Sequence, residues 1–522
     1  MYIRVIDDFG EFAAVRGDWD AVYAADPEAQ FFLSWQWLSD WLTCHKTVWF
    51  VLAAKRDESD EAYAAFLPMR MRTQYDEKLG FFNQLHFAGD GFSDYTGILT
   101  RPEFEAEVVP AFAEFVKRKL HWARFTMDNL LMSEPRRRLF LDPFDKVRFA
   151  QTDIDYLDSR HGVDNSICLA IDLPADWDGY LATLSANNRQ KIRRLLRKVE
   201  AAEDCRITLA TPATFERDLR MLLHFWRIKW EPRKGERTES ILGRNFVMLM
   251  RCARQGRLML PVFWHGDRPV AALATLVDPV KKSLLFFITG RDETYSEMPA
   301  GYLLQAFSIR EAIAGGFSTY DFLKGDEPYK YLFAPKSRRL RPLNVTTRSG
   351  RNLGGELDPR GLPAMIQAAL DFERDGREVE AERCYRQIVE LAPKDGLALY
   401  RFGRFLAKRG DHAGARIWLT GSVEAAPLGE NAWLWLARSL QALGEANAAR
   451  EACRELLKLQ PDNEAATKLI LELNAHRKPG IAALSAWPLT RPPREAMLDP
   501  NQVLQQLAAH RSSSSLGSKT KP

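Results

Sequence analysis

Residues 288–335 read ITGRDETYSEMPAGYLLQAFSIREAIAGGFSTYDFLKGDEPYKYLFAP and combine strand, helix and turn patterns in one segment. It begins at the end of a strand predicted over residues 282–289 and continues with apolar residues at helical spacing over residues 302–315. A short apolar run at residues 319–323 predicts another strand, which ends in a turn at Gly325. This strand–helix–strand unit predicts a layered fold in which helices cover a sheet.

The residues directly before this helix predict an anion-binding site. Pro299, Ala300 and Gly301 precede the helical pattern, and Tyr302 begins it. The first N–H groups of a helix lack partners within it, and the helix dipole is positive at that end, which suits a pyrophosphate. A single glycine before a helix is also typical of an ordinary turn, so the sequence leaves both interpretations open.

Four residues at the end of the second strand and in the turn after it are candidates for acid–base chemistry and cofactor binding. Asp321 and Glu327 offer proton acceptors, Tyr329 offers an acid, and Lys330 offers a cation for the cofactor. The alternative is structural: Asp321 binds backbone groups at the end of the strand, and Tyr329 packs beneath the loop.

Residues 180–200, YLATLSANNRQKIRRLLRKVE, predict an amphipathic helix with a strongly basic face. Its cations are Arg189, Lys191, Arg193, Arg194, Arg197 and Lys198, with no acid among them. Such a face attracts a phosphate-bearing cofactor, for which Arg189 and Arg193 are our candidates, or is simply solvated.

Helices and strands alternate over residues 1–346 in two successive layouts. The first comprises a helix at 34–43, strands at 48–55 and 62–72, a Gly/Asp/Ser loop at 89–97, a helix at 104–120 and a strand at 124–130. The second comprises helices at 177–201 and 212–231, strands at 258–265 and 270–278, and the unit described above. The repeated order predicts a duplicated α+β architecture.

The rest of the chain has a regular 34-residue period. This spacing separates glycines, alanines and prolines in turn: Gly376, Gly410 and Gly444; Ala381, Ala415 and Ala449; Pro393, Pro427 and Pro461. The pattern resembles the tetratricopeptide repeat, with glycine between two helices and proline after the second. We expect three repeats over residues 362–476, forming an all-α solenoid that binds a protein partner.

Two segments flank the predicted solenoid. Residues 347–361 are rich in glycine and charge and predict a linker. Residues 477–522 include SSSS and several prolines and predict a largely disordered tail, in which residues 501–510 form at most a short helix.

Composition excludes several classes of protein. Hydrophobic residues make up 46% and charged residues 27% of the 522 residues, so the chain is globular and neither fibrous nor wholly disordered. The net charge of +4 gives no reason to expect DNA as a partner. The six cysteines form no close pairs, which predicts free thiols in a reducing compartment, no zinc site and no other metal centre. With no signal peptide or apolar span in the sequence, we expect a cytoplasmic protein without a membrane span.

The motifs together resemble a known family. NRQKIRR at 188–194, PAGYL at 299–303, DFLKGDEPYK at 321–330, FFLSWQWLSDW at 31–41 and SDY at 93–95 look like the GNAT-like acyltransferases of the CelD/BcsL type found in cellulose biosynthesis. The resemblance extends more distantly to the FemABX transferases. It implies a tandem GNAT-like fold, with an N-terminal half at 1–165 and a C-terminal, CoA-binding half at 166–346.

The resemblance also implies an activity, the transfer of an acyl group from CoA to an amine or hydroxyl of a small molecule or saccharide. Acetyl is the acyl group that we expect. MPAGYL keeps only Gly301 of the usual GNAT phosphate loop, so a FemABX-like aminoacyltransferase using charged tRNA stays open. A non-catalytic scaffold acting through the repeats is the third hypothesis. Because no Ser–His–Asp or Cys–His arrangement is legible, we expect direct transfer without an acyl-enzyme.

Overall fold

A computed structural model describes residues 1–44 and 47–475. The predicted tail and its short helix lie outside the described residues. The chain divides into two compact units: Met1–Arg72 with Gln84–Gly354, and Thr73–Asn83 with the residues from Gly355 onward.

The strands belong mainly to the first unit. In chain order they are β1 Tyr2–Ile6, β2 Val48–Lys55, β3 Ala65–Asp76, β4 Gly80–Phe87, β5 Leu99–Thr100, β6 Arg124–Met127, β7 Phe149–Asp153, β8 Leu157–Asp158, β9 Val163–Asp164, β10 Ile167–Asp172, β11 Cys205–Leu209, β12 Leu258–Met259, β13 Pro261–His265, β14 Arg268–Asp278, β15 Ser283–Arg291, β16 Thr319–Lys324, β17 Lys336–Arg339 and β18 Leu343–Thr347.

Helices occur in both units. Those of the first are α1 Phe9–Ala14, α2 Arg16–Ala25, α3 Trp35–Cys44, α4 Glu105–Lys119, α5 Glu134–Leu141, α6 Trp177–Thr183, α7 Ala186–Ala201, α8 Phe215–Lys234, α9 Arg237–Arg254 and α10 Ala300–Ala314. Those of the second are α11 Leu362–Arg374, α12 Glu378–Leu391, α13 Gly396–Lys408, α14 His412–Ala425, α15 Glu430–Ala442, α16 Ala446–Leu459 and α17 Glu464–Ala475.

Two similar sheets organise the first unit and confirm the α+β class. One has the order β1-β2-β3-β4-β6-β18-β7, with β5 beside β3, and the other has the order β11-β13-β14-β15-β16-β10-β17, with β12 beside β14. Each contains a parallel pair, β4 with β6 and β15 with β16. Each pair is joined by a covering helix, α4 in the first sheet and α10 in the second.

The last strand of the first unit departs from the predicted division into halves. Residues 343–346 were assigned to the second half, yet β18 pairs with both β6 and β7 in the first sheet. Its alternating pattern places Leu343 and Val345 in the core beneath α4 and α5, where apolar burial outweighs proximity along the chain.

Three apolar cores stabilise this unit. One lies under α4 and α5, and a second lies under α6, α7 and α10. The third joins residues of both halves and contains the fully buried Trp19 and Trp41 together with Leu222 and Leu249. The halves are therefore packed around shared apolar surface.

The second unit contains three helical hairpins, α11–α12, α13–α14 and α15–α16, followed by α17. Gly376, Gly410 and Gly444 lie between paired helices with φ of +72°, +82° and +77°, a conformation that favours glycine. The alanines of the repeat pattern, Ala381, Ala415 and Ala449, are fully buried. The all-α repeat architecture predicted from the spacing is confirmed.

Residues Thr73–Asn83 complete the second unit as a hairpin against the first repeat. The Tyr75 and Phe372 rings lie 4.9 Å apart, and Phe81 is buried in the repeat core. The Phe81 N–H donates to Gln387 Oε1 at 2.9 Å. The first repeat thus has an apolar cover supplied by a distant part of the sequence.

The described cysteines are buried free thiols, namely Cys168, Cys205, Cys252, Cys384 and Cys453. Within residues 1–44 and 47–475, no helix combines the length and apolar character needed to cross a bilayer.

Candidate functional site

The parallel strands β15 and β16 separate partway along their length. They pair at three positions, ending with Leu285 opposite Asp321. β15 then continues to Arg291 and β16 to Lys324. Beyond Leu285, β15 therefore has an edge with no strand partner on that side among the described residues, and its backbone groups there are available to a ligand.

Irregular backbone marks both sides of this opening. The β14–β15 register shifts so that Ala274 faces Ile288 and Thr275 faces Phe286, which leaves Phe287 as a bulge. On the other side, Leu323 has φ of +60°, a strained value for a leucine inside a strand. Such irregularities interrupt the regular ladder pairing on both sides of the opening.

The N-terminus of α10 lies at the same edge, because α10 begins after β15 has ended. Pro299 is its N-cap residue and supplies no side-chain cap, and the first turn contains no acid. A Cβ added at Gly301 would meet nothing within 4 Å, so this turn faces open space. An uncapped, acid-free helix start has the N–H groups and dipole that an anion requires.

The basic helix lies beside this turn. Lys191 Nζ is 4.6 Å from the centre of the Tyr302 ring, and Asn188 Nδ2 donates to the Leu332 carbonyl at 3.0 Å. The structure thus brings the N-terminal half of α7, the start of α10 and the turn after β16 together.

The predicted anion-binding arginines differ in their contacts. Arg193 pairs with Asp178 at 3.1 Å on the surface. Arg189 and Arg194 form no ion pair with any described residue, so their charges remain available.

Asp321 is buried, with 3% of its surface exposed, and its carboxylate is heavily engaged. It accepts hydrogen bonds from the Tyr95 hydroxyl at 2.9 and 3.1 Å and from the Leu323 N–H at 2.8 Å. Arg338 forms an ion pair with it. The bond to Leu323 fixes the strained backbone, which is the structural role that the sequence left open; whether Asp321 also acts as a base stays a prediction.

The environment of Asp321 acts on its partners. Burial, and then the negative charge of Asp321, raise the pKa of Tyr95 well above its ordinary value. Burial alone would lower the pKa of Arg338, but Asp321 and Tyr95 raise it above its usual range. Both partners therefore stay protonated and keep the carboxylate paired.

Glu327, Tyr329 and Lys330 form the turn after β16. Lys330 Nζ donates to the carbonyls of Lys324 at 2.7 Å and Gly325 at 2.9 Å, and lies 2.8 Å from Glu327 Oε2. With 2% of its surface exposed, Lys330 holds the turn together, and its role as a cation for the cofactor stays a prediction. Burial and Glu327 raise the pKa of Tyr329, so its hydroxyl keeps its proton.

The first half contributes to the site through the loop at 89–97. Lys324 Nζ contacts Asp94 Oδ1 at 3.0 Å and Asn129 Oδ1 at 3.1 Å. Sequence analysis noted the SDY segment but missed its link to Asp321, and it missed Arg338 altogether. These contacts join positions far apart in the chain, for which no local spacing exists.

Residues 186–331 match the family model described as acetyltransferase (GNAT) domain. The matched GNAT domain contains α7, the separated strands β15 and β16, and the start of α10. Residues 430–463, the third repeat, match the tetratricopeptide repeat model. Comparison with curated protein sequences gives no significant match.

Solved structures resemble parts of the chain. FemX is 9% identical, covering 66% of this chain and 97% of its own, with a TM-score of 0.45. A conserved protein of unknown function from Bacteroides thetaiotaomicron is 14% identical, covering 66% and 99%, with a TM-score of 0.42. The first tetratricopeptide domain of Spaghetti (RPAP3) bound to an HSP90 peptide is 17% identical, covering 23% and 95%, with a TM-score of 0.22. At these scores, the likenesses establish nothing further about this chain.

Proposed function

We propose that this protein is an acyltransferase that moves an acyl group from CoA to an amine or hydroxyl. Acetyl is the acyl group that we expect. The observation that carries the proposal is the opening between β15 and β16, which ends beside the uncapped start of α10 inside the matched GNAT domain. A saccharide or cell-envelope precursor in the cytoplasm, as the CelD/BcsL resemblance implies, is the acceptor that we propose.

Donor binding is assigned to the first turn of α10 and to α7. The N–H groups from Ala300 to Tyr302 would receive the pyrophosphate of CoA, and the unpaired Arg189 and Arg194 would attract its charge. Backbone N–H groups beside the Phe287 bulge would polarise the thioester carbonyl, since they have no strand partner on that side.

Proton transfer is assigned to the turn after β16. Asp321 has its oxygens occupied, whereas the Glu327 side chain is 39% exposed and, among the described residues, pairs with Lys330 alone, so Glu327 is the better placed acceptor for the proton of the incoming group. Tyr329, 40% exposed on the same turn, would return a proton to the departing thiolate.

The experiment is a binding titration of the full chain with CoA, acetyl-CoA and charged tRNA. Gly301→Trp places a large side chain in the first turn of α10, where an added Cβ would meet no atom within 4 Å, so we expect it to abolish CoA binding and leave the fold intact. Gly243→Trp is the matched control, because Gly243 is also a helical glycine where an added Cβ would meet nothing within 4 Å, and it should bind CoA normally.

Three results would contradict the proposal in different ways. Unchanged CoA affinity in Gly301→Trp removes the pyrophosphate assignment. Binding of charged tRNA and not CoA favours the aminoacyltransferase hypothesis. Binding of neither leaves the scaffold hypothesis.

We also propose that the repeats bind a protein partner with an acidic segment. A groove in the second unit is lined by Arg374, Arg404, Lys408 and Arg409, which pair with acids of the repeats and for which an acidic segment would compete. Arg404→Glu together with Lys408→Glu should weaken binding of a fluorescent acidic peptide. A basic peptide of the same length is the control.

A further inference from the structure

A buried polar cluster lies at the ends of the parallel strands of the first sheet. His86 is near the end of β4, Asp90 lies in the loop that follows it, and Asp128 follows β6. Because β4 and β6 are parallel, with His86 opposite Thr126, these ends meet at one edge. The place corresponds to the opening between β15 and β16 in the second sheet.

Several polar atoms of this cluster lack hydrogen bonds although they are buried. His86 is 4% exposed, and neither of its ring nitrogens makes a hydrogen bond with a residue that the structure describes. Asp90 is 8% exposed, and its Oδ1 also has no partner within residues 1–44 and 47–475. Buried polar groups in folded proteins are nearly always paired, so three such atoms together indicate a missing partner.

The distances within the cluster identify that partner. His86 Nδ1 lies 3.5 Å from Asp90 Oδ2 and 3.4 Å from Asp128 Oδ2. Direct hydrogen bonds between these atoms would measure about 2.7–3.2 Å. Ligand atoms bound at about 2.1 Å to a tetrahedral metal ion are separated by about 3.4 Å.

We propose that His86, Asp90 and Asp128 bind one zinc ion. One imidazole nitrogen and two carboxylates form a donor set that zinc accepts, with the fourth position open to solvent. The Asp128 side chain is 31% exposed, which gives the ion a route of entry.

Neighbouring groups support the three ligands. The Tyr156 hydroxyl donates to Asp128 Oδ1 at 3.3 Å, and Arg70 forms an ion pair with Asp90 through Oδ2. Asp90 therefore presents Oδ2 at ligand spacing from His86 and an unpartnered Oδ1, and Arg70 offsets one of the two negative charges. Such outer contacts hold ligands in place at known metal sites.

A second cluster, Asp204 with Cys205 and His265, is the contrast. His265 Nε2 lies 2.8 Å from Asp204 Oδ2, an ordinary hydrogen-bond distance, and both side chains reach solvent. Burial raises the pKa of Cys205, so the thiol keeps its proton and is a poor ligand. This Cys–His pair, which joins opposite positions of β11 and β13, was not legible in the sequence.

The test is calorimetric titration of the chelator-treated full chain with zinc chloride. A separate metal-free sample receives cobalt chloride as a spectroscopic probe. We expect one zinc ion per chain and the intense visible absorption of tetrahedral cobalt. His86→Gln and Asp128→Asn should each weaken zinc binding at least tenfold, and His265→Gln should leave it unchanged.

The thermal midpoint of each metal-free variant shows whether it folds. If His86→Gln does not fold, Asp128→Asn, at a partly exposed position, tests the proposal in its place. The proposal is overturned if the wild-type chain takes up no zinc, which would assign the cluster to buried water. Zinc uptake that His265→Gln removes and His86→Gln keeps would overturn it equally.

Discussion

Asp321 illustrates a side chain that the sequence could place but could not fully interpret. Its position at the end of a strand was evident, whereas its bonds to Tyr95 and Arg338 depend on how three distant segments meet. Removing one partner of a buried charged network leaves the other without compensation.

Asp321→Asn should therefore lower the free energy of unfolding by about 2 kcal/mol, since charge-assisted hydrogen bonds are lost. Asp172→Asn, in the exposed pair with Lys336, is the control and should change it by less than about 1 kcal/mol. Urea denaturation measures both. Equal small losses in the two variants would show that the Asp321 network contributes little to stability.

At the level of elements, predictability follows the burial pattern. The strand Val48–Lys55 and the helix α10 were predicted from their apolar residues. β17, Lys336–Arg339, consists of exposed polar residues and forms because its backbone pairs with β10, so it has no hydrophobic signal. The opening between β15 and β16 was equally invisible, because strand separation is a property of pairing and not of composition.

The basic helix α7 should contribute to CoA binding through the charges near its N-terminal end. Arg189→Gln with Arg194→Gln should raise the KM for CoA about three- to tenfold at low salt, with kcat nearly unchanged, because two attractive charges are removed. Arg197→Gln with Lys198→Gln, toward the other end of α7, is the matched control. Steady-state kinetics at two salt concentrations measure the KM of both double variants. An identical KM for the two would show that the basic face of α7 is only solvated and does not bind CoA.

For the whole molecule, the hairpin Thr73–Asn83 determines whether the chain can be shortened at the predicted linker. A linker at residues 347–361 would allow a chain that ends there to keep a complete transferase. Tyr75 and Phe81, however, pack with the repeats and would lose their apolar partners.

A chain ending at Gly354 should therefore aggregate, because two aromatic side chains become exposed. Replacing Tyr75 and Phe81 with serine in that shortened chain should restore a monomer, as light scattering after size-exclusion chromatography would show. The same replacements in the full chain should lower its thermal midpoint. A shortened chain that is monomeric without them would contradict this prediction.

The place of β18 has a consequence for biosynthesis. Because β18 lies between β6 and β7, the first sheet has an unfilled gap when β7 leaves the ribosome. All of β8 to β17 must be translated before Leu343–Thr347 arrives to fill it. Until then the nascent chain carries unpaired strand edges, which makes it a substrate for chaperones during translation and ties completion of the first sheet to synthesis of the second.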